Sequence, residues 1–137
     1  MKTYLCIVIT LLLSGCTSIS VVSDDAEFSN YKLKTIILGK PVLVCKDQAL
    51  KTETSGVVEY RLVYNVNNLD KCFFGETIGR LMAGEVIEIE SIEKHHISNF
   101  KSATHIYFIG TGKLPQKGVF QFYYLYGHEG YYENQPW

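Results

Sequence analysis

The strongest constraint on this chain is a two-residue rhythm of apolar side chains that recurs in short bursts between residues 31 and 126. In 59–66 (Glu-Tyr-Arg-Leu-Val-Tyr-Asn-Val), Tyr60, Leu62, Tyr64 and Val66 fall on one face, with Glu59, Arg61 and Asn65 on the other. Side chains alternate across a β-strand, so this period specifies a half-buried strand. Further bursts are Lys34–Leu38, Pro41–Cys45, Glu85–Ile92, Thr104–Ile109 and Val119–Tyr126. Glycines end several of them, at Gly39, at Gly110-Thr111-Gly112 and at Gly127, and Asn67-Asn68-Leu69-Asp70 reads as a turn. No stretch of ten residues after the N-terminal segment keeps a helical period. Thr77–Ala83 comes nearest, and Gly79 weakens it, leaving at most a short helical turn. The expected fold is all-β, a small antiparallel barrel or sandwich.

Within 85–92 the apolar phase slips, from Ile87 and Ile89 to Ile92, as a β-bulge at Ser91 would cause. A turn and a glycine precede Val86 in Ile78–Val86, an arrangement SH3-like barrels share, so an SH3-like barrel is one form the fold could take.

The 137 residues suffice for one domain. Thirteen Lys and Arg oppose fourteen Asp and Glu. A balance so near neutrality disfavours a nucleic-acid binder, which needs a basic face. With 13% aromatic residues the chain is not an acidic disordered one.

Residues 1–16 carry the most specific signal. Lys2 is followed by an apolar run from Tyr4 to Leu13, then Ser14-Gly15-Cys16. Ten apolar residues are too few to span a bilayer, which takes roughly 20, and suit a signal peptide. Leu13-Ser14-Gly15-Cys16 resembles the lipobox of bacterial lipoproteins. The resemblance implies cleavage after residue 15, a diacylglyceryl group on Cys16 and acylation of the new amino group, an anchor of several chains that holds stably. Thr17, where an aspartate would favour the inner membrane, implies the outer membrane, facing the periplasm. The organisation expected is a signal peptide over 1–15, a lipidated start and flexible tether over 16–30 rich in Ser, Asp and Glu, and a β domain over 31–137. Such a tether reaches about 20 Å.

Of the four cysteines, Cys6 leaves with the signal and Cys16 takes lipid. Cys45 and Cys72 remain and are expected to pair in an oxidising compartment.

Catalytic signatures are absent from the sequence: no Gly-x-Ser-x-Gly, phosphate loop or Ser-x-x-Lys. His95 and His96 are adjacent and point to opposite faces of a strand, so no metal site is expected, although His105 could meet one of them across strands and Glu93 is near. These groups read as a polar strand end reaching solvent. Glu88 and Glu90 read as a solvated face.

Eight of the aromatics fall in residues 117–137. Phe120, Phe122, Tyr124 and Tyr126 share a strand face and read as core. Tyr123, Tyr131, Tyr132 and Trp137 are left over, either as a tail packed over an open end of the barrel or as candidate contacts for a partner. The function expected is a non-enzymatic binding or accessory domain of the cell envelope, membrane-bound through its lipid, with an envelope protein or glycan as partner, no nucleic acid and no cofactor. The alternative is a periplasmic immunity or inhibitor lipoprotein. Lysozyme-inhibiting lipoproteins share that plan, but their Ser-Gly loop and Trp-bearing last strand are not found here.

Overall fold

The computed structural model describes residues 16–64, 70–98, 102–128, 131–132 and 135–137. The lipobox residues before Cys16 and the Asn67–Leu69 part of the expected turn lie outside them. The described residues are all-β, as the alternation requires. The strands are β1 (Cys16–Val21), β2 (Lys34–Ile37), β3 (Val42–Lys46), β4 (Leu50–Lys51), β5 (Val57–Val58), β6 (Tyr60–Val63), β7 (Glu76–Leu81), β8 (Val86–Ser98), β9 (Ala103–Leu114), β10 (Gly118–His128) and β11 (Tyr131–Tyr132).

One mostly antiparallel sheet holds nine of them, in the order β1-β8-β9-β10-β6-β3-β7, with β2 also on β8 and β11 on β10. β6 runs parallel to β10. β4 and β5 form a separate two-stranded hairpin. The sheet curls, bringing β7 back towards the end of β9. There the Gln116 side-chain amide donates to the Ile78 carbonyl at 3.0 Å.

The main core fills one face. Ile87, Ile89 and Ile92 of β8 meet Ile106 and Phe108 of β9, Phe120, Phe122 and Tyr124 of β10, Leu62 of β6 and Val44 of β3. The slip read in the sequence is a bulge: the register with β9 shifts between Ile89 and Ser91. It keeps Ile92 in the core and turns Ser91, Glu93, His95 and Ile97 to the opposite face. Burying this apolar surface stabilises by roughly 25 cal/mol per Å².

Three expectations are corrected. Residues 16–30 are not a free tether. Residues 16–21 pair with 93–98 along β8, and Val22 and Phe28 are buried in the core. The serine-rich composition concealed this, because Ser and Thr on an edge strand still satisfy its ladder. Second, 76–81 is a strand on β3, not a helical turn. Its neighbour decides, since pairing with a buried central strand outweighs weak local propensity. Third, Gly110 and Gly112 do not end β9. They sit in its ladder, opposite Phe122 and Phe120. A Cβ on Gly110 would come within 2.1 Å of the Glu88 carbonyl oxygen and 3.0 Å of the Phe122 ring. The turn comes later, at 115–117, with Gly118 at φ +80°.

Cys45 and Cys72 form the expected disulfide, with Cα atoms 5.9 Å apart. It ties the β6–β7 connection to β3.

Candidate functional site

The bulge in β8 gives the sheet a second, partly polar face. Register places its residues in cross-strand rows. Ile19, His95, His105 and His128 form one row. Val21, Glu93, Tyr107 and Leu125 form the next. Ser91, Ile109, Tyr123 and Arg61 form a third. The β4–β5 hairpin lies over the third row, where Val58 and Leu50 pack on Ile109, Tyr123 and Tyr107.

Glu93 fastens this hairpin. Its side chain is wholly buried. The carboxylate accepts the Glu53 N–H at 3.1 Å, the Thr54 N–H at 3.2 Å and the Thr54 hydroxyl at 3.0 Å. His95 Nε2 lies 3.0 Å from its other oxygen. Burial pushes this carboxyl up, but the His95 bond and the bonds from Glu53 and Thr54 outweigh it and hold it below the usual carboxylate range. A buried charge is tolerated only when it is paired and hydrogen-bonded in this way.

Beside the clamp is a cavity of about 590 Å³. Its floor is Thr17, Ile19, His95, Ile97, Tyr107, Leu125, Tyr123 and Arg61, and its wall is the chain from Gln48 to Lys51, with Glu53. That volume falls in the range of small-molecule sites, about 300–1,000 Å³. Arg61 pairs through Nη2 with the Asp47 carboxylate. The Tyr123 hydroxyl donates to the Gln48 carbonyl. Burial foremost, with Asp47 next, pushes the Tyr123 hydroxyl up to about 12. Burial also raises the Tyr107 hydroxyl, partly offset by the Arg61 charge. His105 is held below the usual histidine value, by burial first and then by the charges of His128 and His95. His95 Nε2 faces the Glu93 carboxylate, so this nitrogen is the one that donates. The cavity can therefore donate, accept and pack aliphatic surface.

The sequence-derived candidates are only partly gathered here. Tyr123 is buried on the cavity floor and is no exposed contact. Trp137 stacks on Phe108, with ring centroids 5.8 Å apart, on the opposite face of the sheet. The backbone of Tyr131 and Tyr132 pairs with His128 and Gly127, and their side chains lie outside the described residues, as does that of Cys16. Among the described residues, the aromatics that do stand in solvent are Phe73 and Phe74, 79% and 67% exposed, next to the disulfide. Glu93 and His95 do not reach solvent as a polar strand end; both are buried, Glu93 beneath the hairpin and His95 on the floor of the cavity beside it. His95 and His96 do face opposite ways, His96 Nδ1 lying 2.8 Å from the Thr104 hydroxyl. Glu88 and Glu90 are exposed, as read. Sequence reasoning missed Arg61, Asp47, Tyr107 and the hairpin. The legible signal was the bulge, which places Glu93 and His95 two apart on one face.

No protein-family model matches this chain, and neither the curated proteins nor the solved structures contain a match.

Proposed function

We propose that this chain is a lipid-anchored binding domain of the bacterial envelope, facing the periplasm from the outer membrane, and not an enzyme. The observation that carries the reading is the Leu13-Ser14-Gly15-Cys16 sequence behind a short apolar run. The Cys45–Cys72 disulfide supports it, since such bonds persist in oxidising compartments. The cavity supports a binding role, offering a pocket with convergent polar groups.

The pairing of β1 adds a consequence. The β ladder begins at Cys16 itself, opposite Ser98. A lipid on Cys16 therefore sets the domain directly against the bilayer, without the slack of a tether. That orientation turns the Thr17–Ile97 end of the sheet towards the lipid.

The test is the intact mass of the full chain expressed in a two-membrane bacterium. The reading expects a product starting at Cys16 with added diacylglyceryl and acyl mass, and an unprocessed precursor for Cys16→Ser. A product that starts at Met1 with no added mass overturns it.

A further inference from the structure

We propose that the cavity under the β4–β5 hairpin holds a single-chain zwitterionic amphiphile, a lysophospholipid in chemical class, drawn from the membrane surface at the Cys16 end. The direction of entry rests on the reading of Cys16 as the membrane-facing end. The chemical match rests on the cavity alone.

The cavity is long and graded. Arg61 stands in the third row, level with Ser91 on β8. Ile97 lies six residues further along β8, about 20 Å at the usual rise per residue. Between them, Leu125 faces Tyr107 and Ile19 faces His95. The end nearest Cys16 thus presents Ile19 and Ile97, with Leu125 one row further in, aliphatic side chains left half-buried. An alkyl chain laid along them removes apolar surface from water on both sides. The far end presents Arg61, Tyr107 stands one row before it, and Lys51 lies on the hairpin wall. The Tyr107 hydroxyl makes no hydrogen bond among the described residues. Arg61 commits Nη2 to Asp47, leaving further N–H groups of its fork.

Charge decides the head group. Lys51 and Glu53 stand on the cavity wall and Arg61, paired with Asp47, on its floor, so the cavity carries separated charges of both signs. A simple anion such as a fatty-acid carboxylate meets repulsion from Glu53. A phosphate near Lys51 and Arg61, with an ammonium near Glu53, satisfies both signs. A volume of about 590 Å³ suits one chain.

The experiment is native mass spectrometry of the full chain released from nanodiscs after incubation with lauroyl-lysophosphatidylethanolamine. A saturable one-to-one complex is expected, with dodecanoate bound about ten-fold more weakly, a tenfold ratio being 1.4 kcal/mol. Ile97→Trp and Leu125→Trp, each filling the cavity, should abolish the complex, and Lys51→Glu should weaken it about five-fold, the scale of one exposed ion pair. Thermal unfolding identifies which of the two tryptophan variants remains folded, and that variant decides the test. Unsaturated multiple adducts, or an undiminished complex in the folded tryptophan variant, overturn the proposal. Equal binding of dodecanoate overturns the zwitterionic head. Cys16→Ser should still form the complex. A parent chain that stays unprocessed yet forms the complex therefore overturns the anchor reading alone, and one that is processed yet forms no complex overturns this one alone.

Discussion

Glu93 and His95, two residues apart on β8, meet through Oε2 and Nε2 at 3.0 Å, Glu93 beneath the hairpin that it holds and His95 on the floor of the cavity beside it. This makes Glu93 a structural clamp as much as a partner for His95. Glu93→Gln keeps the shape but turns one acceptor oxygen into a donor facing the Glu53 and Thr54 N–H groups. A loss of about 2 kcal/mol is expected, within the range for an unsatisfied buried group. Glu93→Ala removes the charge and strands His95, for about 3–5 kcal/mol. Chemical denaturation measures both. Amide hydrogen exchange at Glu53 and Thr54 should accelerate in Glu93→Gln before exchange in β9 does. Uniform acceleration across both elements would refute a local clamp.

The same groups set the acid response. His105 has a folded-state value below its ordinary 6.5, and Glu93 lies below its ordinary 4.5. In each case the unfolded chain takes up a proton more readily than the folded one. Stability is therefore complete above the ordinary value and declines as pH falls through the folded one. The melting temperature should hold from pH 8 to about 6.5, fall gently below it as His105 begins to charge, and fall again below about 4.5 as Glu93 protonates. His105→Gln should remove the first decline and leave the second. A melting curve that rises on acidification from pH 7 to 5 contradicts this assignment.

Gly110 tests the register of β9 on its neighbours. Its ordinary backbone tolerates alanine, but the added methyl has nowhere to go, with the Glu88 carbonyl oxygen 2.1 Å and the Phe122 ring 3.0 Å from the Cβ position. Gly110→Ala should cost about 1–3 kcal/mol through overpacking, or more if the β8–β9 pair is forced apart. Gly112→Ala meets the Phe120 ring, at 3.1 Å, and the Leu81 side chain, at 3.4 Å. Those side chains can shift, so the smaller loss is expected there. Equal stabilities measured in urea would show that these glycines do not make room for the aromatic rings.

These glycines also show why the sequence was legible in some places and not in others. Strands whose two faces differ in polarity, such as 59–63 and 86–92, announced themselves, and even the bulge was visible as a phase slip. The glycines of β9 looked like punctuation because their function is to accept Phe120 and Phe122, which arrive from another strand. The disulfide was legible once two cysteines were assigned elsewhere. The cavity was not. Arg61 read as the solvent side of its strand, and only the hairpin from residue 50 to 58, too short to carry a period, turns that side inward. Likewise the aromatic tail left packing and partner contact open, and Trp137 decides for packing by stacking on Phe108 and meeting Tyr124. Long-range packing supplies the distinction in each case, and a local pattern does not contain it.

Phe28 carries the sharpest test of how the N-terminal segment is used. It lies in a stretch whose composition suggests a linker, yet it is 3% exposed and sits edge-on to Phe108 and Tyr126, with centroids 6.3 and 5.9 Å away. A tether residue can be truncated without effect; a core aromatic cannot. Phe28→Ala should cost about 3–5 kcal/mol, the range for removing a buried phenylalanine. Ser29→Ala next to it, whose exposed hydroxyl bonds only the Ala26 carbonyl at 3.3 Å, should change stability by no more than about 0.5 kcal/mol. Because the chain after β1 enters the core through Val22 and Phe28, the same substitution should loosen β1 from β8 and speed amide exchange at Val22, whose N–H donates to the Ile92 carbonyl, and at Ser20, the next amide of that ladder. If Phe28→Ala unfolds at the same denaturant concentration as the parent chain, residues 16–30 are a tether after all, and the placement of Cys16 at the edge of the sheet falls with them.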